Sequence, residues 1–464
     1  MESQQHAQFR GRKVFPQYSV LGESISKRFR EDHEQDEKPF DPILLNTNAP
    51  WSAFICGSQG SGKSHTLSCI LEGCLHPSTT IGNMIKPLAG LMFHYDAHEA
   101  TVCEAAHLCS AGVPVKVLVS PSNYLTMKDL YSQVPNASKF LTVEEFYLQP
   151  NQLNTERLKK LMAFSEKDGA VPLYMEGLIR ILREMRLENQ GSSNLNYREF
   201  RRRLADQELT KLQSGPLNLR LALLDSLLAV DSRGSTRKKK VSQDLLKPVP
   251  GALIILDLTD PFIDNSSACA LFEIAMALFL SGPGSDLTSN GAADPVGKIV
   301  ALDEAHNYLD SSASAQSFTS AVLKGIREQR HRALRVVIAT QEPTINPALL
   351  DLCSMIFVHR FSSPEWLRAL QRHVGGLSLL STADNRSKFA KAGTDDAEEE
   401  EEACGRTVKE VFETIVTLGV GEALLFAPSA VLKSDARRLG TDFLRVQIRD
   451  RMSADGGRSV LAVG

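Results

Sequence analysis

Gly57-Ser58-Gln59-Gly60-Ser61-Gly62-Lys63-Ser64 matches the pattern G-x-x-x-x-G-K-[ST] at every position. Gly57, Gly60 and Gly62 permit a tight curl that turns successive backbone N–H groups inward as an anion cradle. Lys63 adds a mobile positive charge for the outer phosphates, and the Ser64 hydroxyl suits Mg2+. The apolar Phe54-Ile55-Cys56 before the loop and the helical pattern His65 to Leu71 after it predict strand, loop and helix, with the positive helix end at the anion. Residues Gly57 through His65 are therefore expected to hold the phosphates of ATP, and Ser64 the metal.

A second stretch sets Ile299-Val300-Ala301-Leu302 before Asp303-Glu304. Four apolar residues ahead of two acids predict a buried parallel strand whose carboxyl end opens onto a ligand crevice. There Asp303 would join Ser64 in holding Mg2+, and Glu304 would orient and deprotonate the attacking water. Leu334 to Gln341 predicts one more strand, ending in a Thr340-Gln341 pair whose amide is placed to sense the γ phosphate and the water. The letters Asp303-Glu304-Ala305-His306 also occur in DEAH-box helicases. The surroundings argue against that reading: a basic helical stretch with Lys324, Arg327, Arg330 and Arg332 runs straight into the next strand. No Ser-Ala-Thr and no Gln-x-x-Gly-Arg-x-x-Arg segment is present.

These motifs resemble the HerA/FtsK group of additional-strand P-loop ATPases, which includes type IV secretion coupling proteins and viral genome-packaging motors. The resemblance rests on the phosphate loop, on Leu302 to Leu309, on Arg327-Glu328-Gln329-Arg330, on Ile338 to Pro343, on Ile356 to Arg360, and on Leu418 to Phe426 with its Gly421-Glu422-Ala423 turn. It is loose over Ile43 to Val119 outside the loop and fuller from Gly251 to Arg451. It implies an α/β P-loop NTPase with a mainly parallel central sheet flanked by helices. Lys63 and Ser64 match the family's phosphate and metal ligands, Asp303 and Glu304 its metal-shell acid and base, and Gln341 its sensor. It further implies a homo-oligomeric, hexameric ring in which an arginine from one subunit reaches the γ phosphate of its neighbour. Arg330 is the first candidate, Arg327 the second, and Arg360 a candidate for the subunit boundary; each is equally readable as a solvated surface arginine.

Around these motifs the 464 residues divide by composition. Residues 1–42 are polar and charge-mixed and read as a poorly ordered segment. Residues 43–150 are expected to form the first part of the ATPase core, with strands near Leu91–Tyr95 and Val115–Val119. From 151 to 250 the pattern turns helical and basic, a helical insertion with 19 Lys and Arg against 12 Asp and Glu in a chain of net charge −3. Residues 251–451 should complete the core, with strands near Ala252–Asp257 and Phe443–Ile448, an apolar helix from Ala268 to Leu280, a Gly/Ser/Pro-rich loop at 282–297 and a flexible acidic loop near 394–403. Residues 452–464 read as a tail.

Arg201-Arg202-Arg203 and Arg237 to Lys240 give the insertion a surface that could meet nucleic-acid phosphates. A solvated face, a subunit contact or, for Arg237 to Lys240, a nuclear-import patch fits the same residues. The eight cysteines include no C-x-x-C pair, so neither a disulfide framework nor a zinc ribbon is indicated. His98, Cys103, His107 and Cys109 do cluster, as a metal site or as half-buried helix residues. With no run of 18 apolar residues and no secretory leader, an intracellular, cytoplasmic or nuclear enzyme without a membrane span is expected. The combined expectation is Mg2+-dependent ATP hydrolysis by a ring motor acting on DNA. The rival is a nucleotide-gated binding or scaffold protein whose turnover is incidental.

Overall fold

The structure, a computed structural model, describes residues 8–9, 12–13, 15–25, 41–97, 101–149, 152–162, 174–188, 195–207, 211–228, 244–281, 296–310, 312–378, 408–432 and 437–456. Its frame is a 13-stranded sheet. In chain order the strands used below are β1 Tyr18–Ser24, β2 Pro42–Asn46, β3 Ser52–Cys56, β4 Ala89–His94, β5 Val115–Val119, β6 Leu141–Glu145, β7 Leu253–Asp257, β8 Lys298–Leu302, β9 Leu334–Thr340, β10 Met355–Val358, β11 Glu422–Phe426 and β12 Leu444–Ile448. Their spatial order is β2-β1-β12-β11-β10-β3-β9-β8-β4-β7-β5-β6.

From β10 to β6 every neighbouring pair is parallel. The inner strands β3, β4, β7 and β8 are short, largely apolar runs, as required where both faces of a parallel sheet are covered. Alternate residues then feed two cores. Phe54, Leu91, Phe93, Val300, Leu302, Val336 and Ile338 face one; Ala53, Ile55, Met92, Ile299, Ala301, Val337 and Ala339 face the other. The helix α1, Lys63–Leu75, covers the second face, and its Leu67, Ile70, Leu71 and Leu75 lie in that core.

Within 151–250 lie four helices, α2 Thr155–Met162, α3 Tyr174–Glu188, α4 Tyr197–Ala205 and α5 Lys211–Leu227. Their Leu158, Leu182, Phe200 and Leu221 share one hydrophobic core with the sheet's Phe93 and with Phe272 and Phe318. Those two come from α6, Asn265–Leu280, and α7, Ala313–Arg327. These helices are thus seated on the first face.

Beyond β10 the sheet turns antiparallel through β11, β12, β1 and β2. Here the expectation for residues 1–42 needs correction. Tyr18–Ser24 is a strand inside the sheet, with Val446 opposite Ser24 and Leu44 opposite Val20. Tyr18 and Leu21 are buried. Polar composition concealed the segment because its partners lie far away in sequence, and antiparallel pairing with two neighbours orders it without a long apolar run. The acidic residues 394–403, Arg237 to Lys240, residues 282–295 of the Gly/Ser/Pro-rich stretch and 457–464 of the tail lie outside the described residues. Among the described residues no helix is long and apolar enough to cross a membrane.

Candidate active site

The carboxyl ends of β3, β9, β8 and β4 lie side by side, and the residues singled out by their motifs follow directly from them. In register, Leu302 of β8 faces Ile338 of β9, and Ile338 faces Phe54 of β3. One strand therefore separates the glycine-rich loop from the acidic pair, and the loop, Asp303-Glu304 and Thr340-Gln341 emerge at the same level of one edge. That is the crevice where open α/β sheets bind ligands.

Gly57 to Gly62 curls back on itself: Ser61 Oγ donates to the Ser58 carbonyl at 2.7 Å, and Lys63 Nζ to the same carbonyl at 3.1 Å. Gly62 caps α1 at φ 104°, a left-handed conformation that side chains disfavour. A Cβ there would stand 2.8 Å from the Gly421 nitrogen, so the position tolerates only glycine. Lys63 is buried, and burial lowers its pKa while Glu304 and Asp303 pull it back up. Ser64 has no side-chain hydrogen bond among the described residues, and its hydroxyl is free to take a ligand. Gln59 and Gly60 are exposed at the tip.

Glu304 follows the strand at φ 43° and ψ 47°, left-handed for a residue with a full side chain. Such a conformation costs on the order of 1–2 kcal/mol and persists only where its surroundings impose it. They do so here: Gln341 Nε2 donates at 3.4 Å to both carboxylate oxygens, and His306 Nδ1 lies 3.4 Å from Oε2. His306 loses basicity on burial, against the pull of Glu304. Asp303 is buried beside it, with His94 Nδ1 3.8 Å from its Oδ2. Burial pushes the Asp303 pKa up to about 6, with His94 opposing and Glu304 reinforcing the shift. A buried carboxylate and a serine hydroxyl, each carried at the carboxyl edge of the sheet, are the oxygen donors that a small hard cation takes.

The arginines fall in two places. Arg327 ends α7, and Arg330 follows in the turn before β9, so both stand at the amino ends of the strands, the edge away from the loop. Both are exposed, and neither makes an ion pair among the described residues. Arg360 is at the loop itself: its carbonyl accepts from Ser58 N and from Ser58 Oγ, each at 2.9 Å, with the residue exposed.

His359 carries a role that the motifs did not reveal. Fully buried, it donates from Nδ1 to the Glu422 carbonyl at 2.9 Å and accepts at Nε2 from Thr66 Oγ1 at 3.0 Å. It thereby ties α1 to β11, and desolvation drives its pKa down to about 4, so the ring is neutral. Gly421 N adds a long bond of 3.4 Å to the Ser61 carbonyl. On the other side of α1, the residues after β12 form a clasp. Arg449 Nη1 pairs with the buried Glu72 at 2.8 Å, Arg449 Nη2 donates to the Cys69 carbonyl, and the Arg449 carbonyl meets His65 Nε2 at 2.8 Å. Neither feature is visible in local sequence, since each joins residues hundreds of positions apart.

The insertion's basic triplet is largely engaged within the fold. Arg201 pairs with Asp225 at 3.2 Å, Arg202 with Glu199 at 2.7 Å, and Arg203 with Glu188 and Glu199 at 2.6 Å. Of the expected His/Cys cluster, His98 lies outside the described residues, His107 Nδ1 is bonded to the Glu104 carbonyl, and Cys109 Sγ to the Pro135 carbonyl. Among the described residues, His107 and Cys109 belong to no group of side chains that could share an ion.

No protein-family model matches this sequence, and no curated protein matches it significantly. Solved structures do. VirB4 of Thermoanaerobacter pseudethanolicus superposes with a TM-score of 0.50 over 93% of this chain and 96% of that one, at 12% identity. The plasmid coupling protein TrwB in complex with ADP and Mg2+ gives 0.48 over 95% and 96%, at 14% identity. The genome packaging NTPase B204 from Sulfolobus turreted icosahedral virus 2, in complex with ATP-gammaS, gives 0.23 over 40% and 67%, at 11% identity. The VirB4 likeness is one of fold: a large, mainly parallel sheet flanked by helices, the α/β architecture that the motifs implied.

Proposed function

Starting from that fold, we propose that the chain hydrolyses Mg2+-bound ATP as a ring-forming motor, with DNA as the polymer it moves. The observation that carries the hydrolytic reading is Glu304. It is held in a strained backbone by Gln341 and His306, at the edge where the glycine-rich loop opens. A strained carboxylate oriented by an amide is what a water-activating base requires.

In this reading the N–H groups of Gly57 to Gly62, with those of Lys63, Ser64 and His65, cradle the phosphates, and Lys63 leaves the Ser58 carbonyl for the γ phosphate. Ser64 and Asp303 would hold Mg2+, which supplies charge neutralisation between the β and γ oxygens. Glu304 takes the proton of the attacking water, whose position the Gln341 amide fixes. Arg330, or Arg327, acts on the nucleotide of a neighbouring subunit, since both lie at the far edge from their own loop. The ring, hexameric by resemblance, is supported by that placement and by the exposure of Arg360 next to the loop. The working core is residues 43–150 and 251–451 together with Tyr18–Ser24, and 151–250 is its insertion.

The test is steady-state ATP turnover by wild type and Glu304→Gln, each with and without duplex and single-stranded DNA. Turnover that DNA accelerates and Glu304→Gln reduces by about 10²–10⁴-fold is expected. Turnover indifferent to DNA, with no retention on DNA at low salt, removes the translocase half. The engagement of Arg201, Arg202 and Arg203 by internal acids favours a second reading, a nucleotide-gated scaffold. Its mark would be a chain that binds ATP, stays monomeric by size-exclusion mass and does not turn over.

A further inference from the structure

Cys103, separated from the partners that its sequence neighbourhood offered, meets two others. His94 ends β4, Asp303 follows the adjacent parallel strand β8, and Cys103 precedes the short helix Glu104–Ala111. One donor atom from each, an imidazole nitrogen, a thiol sulfur and a carboxylate oxygen, lies within 4.8 Å of the other two, and all three residues are buried. His94 supplies an independent sign that something belongs between them. It is only 6% exposed, yet neither ring nitrogen has a hydrogen-bond partner. A buried imidazole without partners is costly and rare in a native fold.

We propose that His94, Cys103 and Asp303 form a binding site for a borderline-soft divalent ion such as Zn2+, whose capture withdraws Asp303 from Mg2+ and halts ATP turnover. The second half rests on the role of Asp303 put forward above; the capture of the ion does not. Mixed nitrogen, sulfur and oxygen donors suit Zn2+, whereas Mg2+ demands oxygen and keeps its waters. Three protein ligands leave one tetrahedral position for water or a phosphate oxygen. Tetrahedral bonds of about 2.0–2.3 Å put ligand atoms roughly 3.3–3.6 Å apart. The 3.8 Å between His94 Nδ1 and Asp303 Oδ2 is already close to that. On binding, the thiol proton is released to solvent.

The experiment titrates the full chain, free of nucleotide, with Co2+, which reports sulfur ligation by a thiolate-to-cobalt absorption band in the near ultraviolet. One band per chain is expected, abolished in Cys103→Ser and displaced by Zn2+. In parallel, Zn2+ should inhibit Mg2+-ATP turnover of the wild type, and Cys103→Ser should raise the inhibitory concentration by at least about 10-fold with basal turnover unchanged. Absence of the band, or its persistence in Cys103→Ser, overturns the site; a band without inhibition by Zn2+ overturns the withdrawal of Asp303. Should Cys103→Ser not fold, His94→Gln makes the same comparison. A Cys103-dependent band in a protein that never hydrolyses ATP keeps the metal site and removes the hydrolytic reading, while turnover without a band does the reverse.

Discussion

The neutral ring of His359 makes the loop's attachment sensitive to acid, by an amount that can be worked out. In the unfolded chain a histidine takes up its proton near pH 6.5, but buried between Thr66 and Glu422 it does so only near pH 4. Between those values the unfolded state binds more protons, so stability contributed by this residue is complete above pH 6.5 and falls as pH drops towards 4. The full window of 2.5 pH units corresponds to about 3 kcal/mol, and roughly 2 kcal/mol is already lost at pH 5. His359→Asn keeps an N–H placed for the Glu422 carbonyl, loses the Thr66 bond and cannot titrate. At pH 7.5 it should be less stable than wild type by about 1–3 kcal/mol. Urea unfolding followed by circular dichroism at half-unit steps from pH 7.5 to 5 compares the two proteins under identical conditions. The gap should shrink by about 2 kcal/mol across that range and can reverse in sign. Parallel curves, with a constant gap at every pH, would refute the reasoning, for they would mean that His359 titrates alike in the folded and unfolded chains.

Gly62→Ala forces a Cβ to 2.8 Å from the Gly421 nitrogen at φ 104°, so nucleotide affinity measured by calorimetry should fall at least about 10-fold. Arg449→Ala removes the charge partner of buried Glu72 and leaves it the bonds from Met452 and Ser453, a loss of about 2–4 kcal/mol that a thermal melt would register; an unchanged Tm would show the clasp to be idle. For Arg330→Ala and Arg327→Ala, turnover should drop by about 10³-fold or more for whichever is the finger, with ATP binding unaffected. Mixing that variant with Lys63→Ala chains should restore some activity, because each supplies what the other lacks. No restoration would rule out action between subunits.

What could be read from the sequence was local. The glycine-rich loop and the acidic pair each sit in a few consecutive residues whose spacing encodes their geometry. The strands β7, β8 and β9 and the helix α6 show themselves as predominantly apolar stretches because most of their residues are buried. What stayed hidden is held by partners distant in sequence. Tyr18–Ser24 looks polar but is ordered between β12 and β2; β6, Leu141–Glu145, is a half-buried edge strand with no apolar signature. His359 is unremarkable until Glu422 and Thr66 surround it. Cys103 invited grouping with His107 and Cys109 by proximity along the chain, whereas the sheet register brings it His94 and Asp303. Positive backbone dihedrals such as that of Glu304 leave no trace in residue type at all.

The clasp around α1 also bears on how the protein is made. Synthesis is vectorial, so the glycine-rich loop, β3 and α1 leave the ribosome long before the groups that brace them. His359, then Gly421, then Arg449 must follow, and β1 cannot enter the sheet until β12 arrives to lie between it and β11. A nascent chain halted before residue 444 therefore carries the whole phosphate-binding motif without its buttress, and with a pair of unmatched strand edges where β12 belongs. Nucleotide would have no rigid cradle to enter during that interval. Chaperone demand in the cell should accordingly fall on the antiparallel wing, the last part of the sheet to be completed.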